Sequence, residues 1–163
     1  MNDLLVERII DFDRHCMETT LDQAGLAFPE ENRLKSFQSN PTLIVAFAGD
    51  EIAGYIEYLR SWNDQRYIYI SSFQIQEAYR RTKLILALID AFRESVRGED
   101  FLGFETNVQK VNKAAVEMYS RAGFQLTENP RNEASWIATA GPELLTQSPI
   151  IPIIEKWRSR SKR

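Results

Sequence analysis

The sequence predicts an α+β fold: a mixed, mostly antiparallel sheet of about seven strands flanked by about four helices, followed by a C-terminal appendage. Three observations predict it. Hydrophobic periodicity changes from alternation in YIYISSFQI (67–75) to helical spacing over 80–97, and back to a strand in FLGFETNV (101–108). The elements read in the order β, α, α, β, β, β, α, β, α, β, β. The central strand, helix, strand passage is too long for a hairpin and requires a parallel crossover.

Each element has a local reason. Residues 4–10 (LLVERII) read as a short strand, with Asp11 or Asp13 capping a helix that carries Cys16, Met17 and Leu21 as far as Gly25. Pro29 precedes a second helix, EENRLKSF, whose first-turn acids suit the helix dipole, and Asn40-Pro41 ends it. TLIVAFA and IAGYIEYL, separated by Gly49-Asp50-Glu51, form a hairpin. The next strand follows Trp62-Asn63-Asp64 and sets Tyr67, Tyr69, Ser71, Phe73 and Ile75 on one face. Leu84, Ile85, Leu88, Ile89, Phe92 and Val96 then recur at three- and four-residue spacing, and Gly98 stops the helix. After FLGFETNV, the helix NKAAVEMYSRA opens at Asn112 and closes at Gly123; FQLTE and ASWIATA are the last strands. No linker or repeat interrupts residues 1–141, which read as one domain. Residues 142–163 form an extension with Ile153, Ile154 and Trp157 on one side, packed back on the domain or presented to a second copy as a homodimer.

Composition narrows the chemistry. At 163 residues, 44% apolar and 26% charged, the chain can bury a single core without disulfide or metal. One cysteine, Cys16, and one histidine, His15, complete neither a disulfide nor a zinc site, so no metal is expected. On a helix their side chains diverge by about 100°, which makes a core cysteine beside a surface histidine the better reading than a nucleophile and base. No apolar run reaches about 18 residues and no signal-like segment opens the chain, so a cytoplasmic protein without membrane contact is the expectation. Five basic residues and no acid lie in 156–163, leaving 15 basic against 23 acidic residues in the body. That body is a poor match for nucleic acid. Carboxylate pairs such as Asp11 and Asp13 or Glu30 and Glu31 fit helix starts better than acid–base work.

The informative stretch is 103–124, GFETNVQKVNKAAVEMYSRAGF. Asn112, Ala115, Tyr119, Gly123 and Phe124 spell N-x-x-A-x-x-x-Y-x-x-x-G-F behind a strand. Ala115 and Tyr119 are one helical turn apart, so a small residue sits below a phenol and leaves room for a slender ligand. Alone, Tyr119 reads better as a half-buried core tyrosine than as a functional group. The whole pattern resembles the GNAT superfamily of N-acetyltransferases, and the order of elements from about residue 4 to 140 agrees with it.

The resemblance implies a sandwich whose sheet is split between the strand of 67–76 and that of 102–108, with acetyl-CoA as co-substrate in the gap. It also implies N-acetyl transfer to a primary amine of a small molecule or peptide by direct attack. Tyr119 takes the position of the family's general acid; a phenol near pKa 10 protonates a thiolate near 8.5 at a cost of roughly 2 kcal/mol. Backbone N–H groups from Phe73 to Ile75 would meet the oxygen that gains charge. Glu77 and Glu105 are the candidate bases, each with an alternative reading as an exposed ion-pairing residue. Asn112 is either a cap or a neighbour of the pantetheine arm, with Ala115 beside it.

The family's diphosphate loop, Q/R-x-x-G-x-G/A, falls on Arg80, Arg81, Thr82, Lys83, Leu84 and Ile85. Arg80 fits, but Lys83 and Ile85 occupy the two small positions, where a Cβ and long side chain obstruct close backbone approach to a diphosphate. Two readings follow: the three cations compensate for poorer amide contacts, or the fold has lost acetyl-CoA and serves as a binding or interaction module. The acceptor pocket would be lined by the helices of 12–38 and the RSWNDQR loop, and the acidic body favours a cationic amine.

Overall fold

In the computed structural model, which describes residues 3–80 and 82–145, the chain opens with a helix rather than a strand. Helix α1 (Asp3–Ala24) absorbs residues 4–10. Leu5, Ile9 and Phe12, spaced by four and three, pack on one cluster with Ile52 and Tyr55. Strand alternation would have divided them between two faces. Asp11 and Asp13 are therefore interior helix residues and not caps: Asp11 pairs with Arg14, and Asp13 is buried. The sheet accordingly has six strands.

The remaining elements follow the predicted order. Helix α2 (Glu30–Gln38) starts after Pro29. Strands β1 (Thr42–Ala48) and β2 (Glu51–Arg60) form the hairpin, turning at Gly49 with φ +62°. Their register shifts between Ala46 and Phe47 and leaves Ala53 unopposed. Strand β3 (Tyr67–Ile75) leads through a 3₁₀ turn (Glu77–Tyr79) to α3 (Leu84–Ser95). Then come β4 (Gly103–Gln109), α4 (Lys113–Arg121), β5 (Gln125–Glu128) and β6 (Ser135–Ala140). In space the order is β1-β2-β3-β4-β6-β5. The β3–β4 pair is parallel, as the crossover requires, whereas β6 runs antiparallel to both β4 and β5.

The chain divides into two compact units, one built from residues up to Leu59 plus Ser72–Phe92, the other from Arg60–Ser71 plus the chain from Arg93 onward. In the first, β2 is buried from Ile52 to Tyr58 on both faces. Gly54 is required there, because a Cβ would lie 2.9 Å from the Gln74 carbonyl oxygen and 3.2 Å from Leu88. On either side of it in the strand, Ile52 joins the α1 cluster and Tyr58 meets Phe92 of α3 with ring centroids 5.1 Å apart. In the second unit, Phe104, Val108, Ala122, Phe124 and Ala138 are buried. The predicted extension is described only through a 3₁₀ turn at Pro142–Leu145; Ile153, Ile154, Trp157 and the basic end lie outside the described residues.

A buried polar knot ties the first unit together. Arg33 of α2 uses all five N–H groups: Nε reaches Asp13 at 2.5 Å, Nη1 reaches Ser36 at 2.6 Å and Glu57 at 3.0 Å, and Nη2 reaches Glu57 at 2.6 Å and Tyr55 at 2.9 Å. Tyr55 in turn donates to Asp13 and shares a 2.8 Å hydrogen bond with Ser72. Glu57 and Asp13 are 0% and 1% exposed. Burial pushes the Asp13 carboxyl above its usual range despite Arg33 beside it. Burial also opposes the charge on Arg33, but Glu57, Tyr55 and Asp13 outweigh it and hold the guanidinium protonated.

Candidate functional site

Helix α4 positions the central phenol. The Asn112 side chain accepts a hydrogen bond from the Ala115 N–H at 3.1 Å, the capping arrangement that orients the first turn. Ala115 and Tyr119 follow one turn apart, both half-buried. Gly123, with φ +93°, ends the segment in a conformation few side chains tolerate. Phe124 then meets the Tyr119 ring edge-on, centroids 5.0 Å apart at 77°.

The Tyr119 side chain is hydrogen-bonded to Thr106 of β4. Burial pushes its phenol up to about 12; the Thr106 hydrogen bond acts in the opposite direction, and Tyr69 adds to the rise. Such a phenol is protonated at neutral pH. Passing its proton to a thiolate near pKa 8.5 is about 5 kcal/mol uphill, more than an unperturbed phenol would require. Thr106 is the residue that sequence reasoning missed, and its signal was a lone hydroxyl between Phe104 and Val108 on the inward face of ETNV.

Strand alternation puts Glu105 and Asn107 on the face of β4 opposite Thr106. Glu105 is half-buried and accepts from Asn63 Nδ2 at 3.0 Å. Asn107 donates to the Tyr69 hydroxyl at 3.1 Å, and the Tyr69 ring lies 5.0 Å from that of Trp62. Tyr69 and Glu105 are direct partners on the last rung of the β3–β4 ladder. Strand β3 runs on to Ile75 and β4 to Gln109.

The first unit carries the other predicted residues. Phe73 is half-buried and Ile75 buried at the end of β3, with Glu77 exposed in the turn that follows. Arg80 folds back so that its Nε donates to the Ile75 carbonyl at 3.1 Å. Thr82 donates to the Tyr79 carbonyl at 2.8 Å and accepts from the Leu84 N–H at 3.2 Å, which caps α3. This cap explains why the helix begins at Leu84, later than the change of period at residue 80. Lys83 is exposed, Leu84 and Ile85 are half-buried, and Arg81 lies outside the described residues. At the start of the helix the Ala87 N–H donates to the Lys83 carbonyl at 3.0 Å.

Cys16 is half-buried rather than fully in the core, and burial pushes its thiol up to about 11, which disfavours a nucleophilic thiolate. Among the described residues no group of three or more His, Cys, Asp or Glu is placed to hold a metal ion, and no helix is long and apolar enough to cross a membrane.

Among solved structures, the PaiA N-acetyltransferase of Thermoplasma acidophilum in complex with coenzyme A matches at 18% identity and TM-score 0.63, covering 83% of this chain and 92% of that one. A GNAT-family acetyltransferase from Staphylococcus aureus Mu50 matches at 15% identity and TM-score 0.67 over 86% and 95%. The protein smu.2055 of Streptococcus mutans UA159 matches at 19% identity and TM-score 0.65 over 86% and 96%. These likenesses establish a shared fold. No curated protein sequence matches the chain. The family model described as "Acetyltransferase (GNAT) family" matches residues 6–124, from α1 through the Tyr119 helix to Phe124, and with that span the chain belongs to the acetyltransferase (GNAT) family.

Proposed function

We propose that the chain moves the acetyl group of acetyl-CoA to a primary amine by direct attack, with Tyr119 protonating the departing thiolate. The observation that carries the reading is the capped and glycine-terminated α4, which holds a protonated phenol on Thr106. Acetyl-CoA supplies an activated thioester. Everything else falls to this chain's residues: within the second unit Ala115 leaves space beside Tyr119, and Glu105 is the candidate acceptor of the amine's proton. The resemblance of the Thermoplasma protein, in complex with coenzyme A, supports the same co-substrate.

The loop before α3 fits a diphosphate by charge more than by amides. The Leu84 N–H is occupied by Thr82, which takes one amide from the helix start, while Arg80, Lys83 and Arg81 supply positive charge. Acetyl-CoA affinity should therefore fall steeply as salt rises; a flat response would remove the cations from the loop's role. The same cap and the side chains of Lys83 and Ile85 favour the alternative, a GNAT-fold module that has lost the co-substrate. Isothermal titration separates the two readings. Saturable acetyl-CoA binding supports the enzyme, whereas no heat at millimolar ligand overturns it. With binding established, Tyr119→Phe should lower kcat about 100-fold or more and leave affinity nearly intact; unchanged kcat would exclude Tyr119 as the acid.

A further inference from the structure

The second unit carries an aromatic shelf beside a carboxylate that, among the described residues, has no cation partner. Trp62 is 61% exposed, yet its loop is well fastened. Ser61 N–H donates to the Tyr67 carbonyl at 2.9 Å and Tyr67 N–H to the Asp64 carbonyl at 2.8 Å. Gln65 Nε2 reaches the Ser61 carbonyl at 3.1 Å, and Asn63 N–H reaches Ser61 Oγ at 3.2 Å. The indole is thus held out to solvent by a preorganised turn, against the ring of Tyr69.

A single exposed Trp needs no explanation; its neighbour supplies one. Glu105 stands directly opposite Tyr69 in the ladder, and among the described residues its one partner is the neutral amide of Asn63. The nearby cations are engaged elsewhere: Arg60 with Glu99 at 2.7 Å and Arg66 with Asp64 at 2.7 Å. A half-buried carboxylate without a counter-ion among the described residues, next to two aromatic rings 5.0 Å apart and inclined at 53°, complements an organic cation: the carboxylate meets its charge and the aromatic surface meets its N–CH₂ groups. A carboxylate-bearing ligand would meet repulsion at the same place.

We propose that Trp62, Tyr69 and Glu105 form the recognition surface for a primary alkylammonium ion, with Asn63 and Asn107 orienting Glu105 and Tyr69. That this cation is the acyl acceptor rests on the function proposed above; the binding surface itself does not. The surface restricts acceptors to cationic aliphatic amines.

The test is a titration of the full chain, without acetyl-CoA, by n-butylammonium chloride and by sodium pentanoate, following the Trp62 indole and Asn107 side-chain amide signals by NMR. Butylammonium should move both signals saturably, and pentanoate neither. Glu105→Gln, which keeps an oxygen for Asn63, should weaken binding about tenfold. Trp62→Ala, read through Asn107, should weaken it about threefold to fivefold. Equal shifts with pentanoate, or unaltered affinity in a folded Glu105→Gln protein, would overturn the proposal. Ammonium binding without acetyl-CoA binding would leave this surface standing and remove acyl transfer; acetyl-CoA binding without ammonium binding would do the reverse.

Discussion

Tyr119 is defined by two opposed influences, burial that raises its pKa and a hydrogen bond from Thr106 that opposes the rise. The bond should show as an energetic coupling. In a double-mutant cycle of Tyr119→Phe and Thr106→Val, chemical unfolding should give a coupling of about 1 kcal/mol; additive effects would mean that no such bond contributes. The raised value also predicts a pH response. A phenol pushed up to about 12 stays protonated through the neutral range and would lose activity only near that value. Between about pH 6 and 9 the kcat/KM profile of Tyr119→Phe should therefore keep the wild-type shape at a lower height, while the disappearance of a limb in that range would assign that limb to Tyr119.

At the scale of elements, α4 depends on its ends. Asn112→Ala removes the bond to the Ala115 N–H and should cost about 1 kcal/mol of stability by denaturant titration. Because Tyr119 lies two turns along, this change should also lower activity, whereas Asn112→Asp should restore both. The motif was legible in the sequence because Asn112, Gly123 and Phe124 act locally: a cap, a positive-φ stop and a ring one contact away. The start of α1 was not legible as helix, because LLVERII is an apolar run whose period is set by what it packs on. Only the placement of Ile52 and Tyr55, some 40 residues later, makes Leu5, Ile9 and Phe12 one face. The polar knot was hidden for a related reason. Asp13, Arg33 and Glu57 look like surface charges, although Glu57 is the sole charge in IAGYIEYL and Asp13 sits on an apolar stripe of α1. The Trp62 shelf was readable as a loop but not as an aromatic contact beside a carboxylate, since Tyr69 and Glu105 meet only through the crossover.

For the whole molecule, Arg33 is the side chain whose loss should be felt most. Arg33→Met leaves two buried carboxylates without their cation and should destabilise the chain by about 3 to 5 kcal/mol near neutral pH. The pH dependence carries the sign. Asp13 already has a raised pKa, and removing Arg33 raises it further. A carboxyl with a raised folded-state pKa stabilises the fold below its unfolded value and loses that contribution as pH rises through the folded one. The variant should therefore regain stability on acidification from about pH 8 towards 5, as measured by urea midpoints; a constant deficit would show that the carboxylates are not the cause.

The two units are interleaved along the chain, which passes between them after Leu59, Ser71 and Phe92. No single cut separates them. During synthesis, everything needed for the first unit has been made by Phe92, but Tyr67–Tyr69 of β3 must wait for Gly103–Glu105 and the strands that follow. At roughly 5 to 20 residues per second that wait lasts several seconds, during which an aromatic strand edge is open to pairing with another nascent copy. The charges of Arg60, Asp64 and Arg66, immediately upstream of that edge, sit where they would oppose such pairing, a second use for a loop otherwise concerned with holding Trp62 in place.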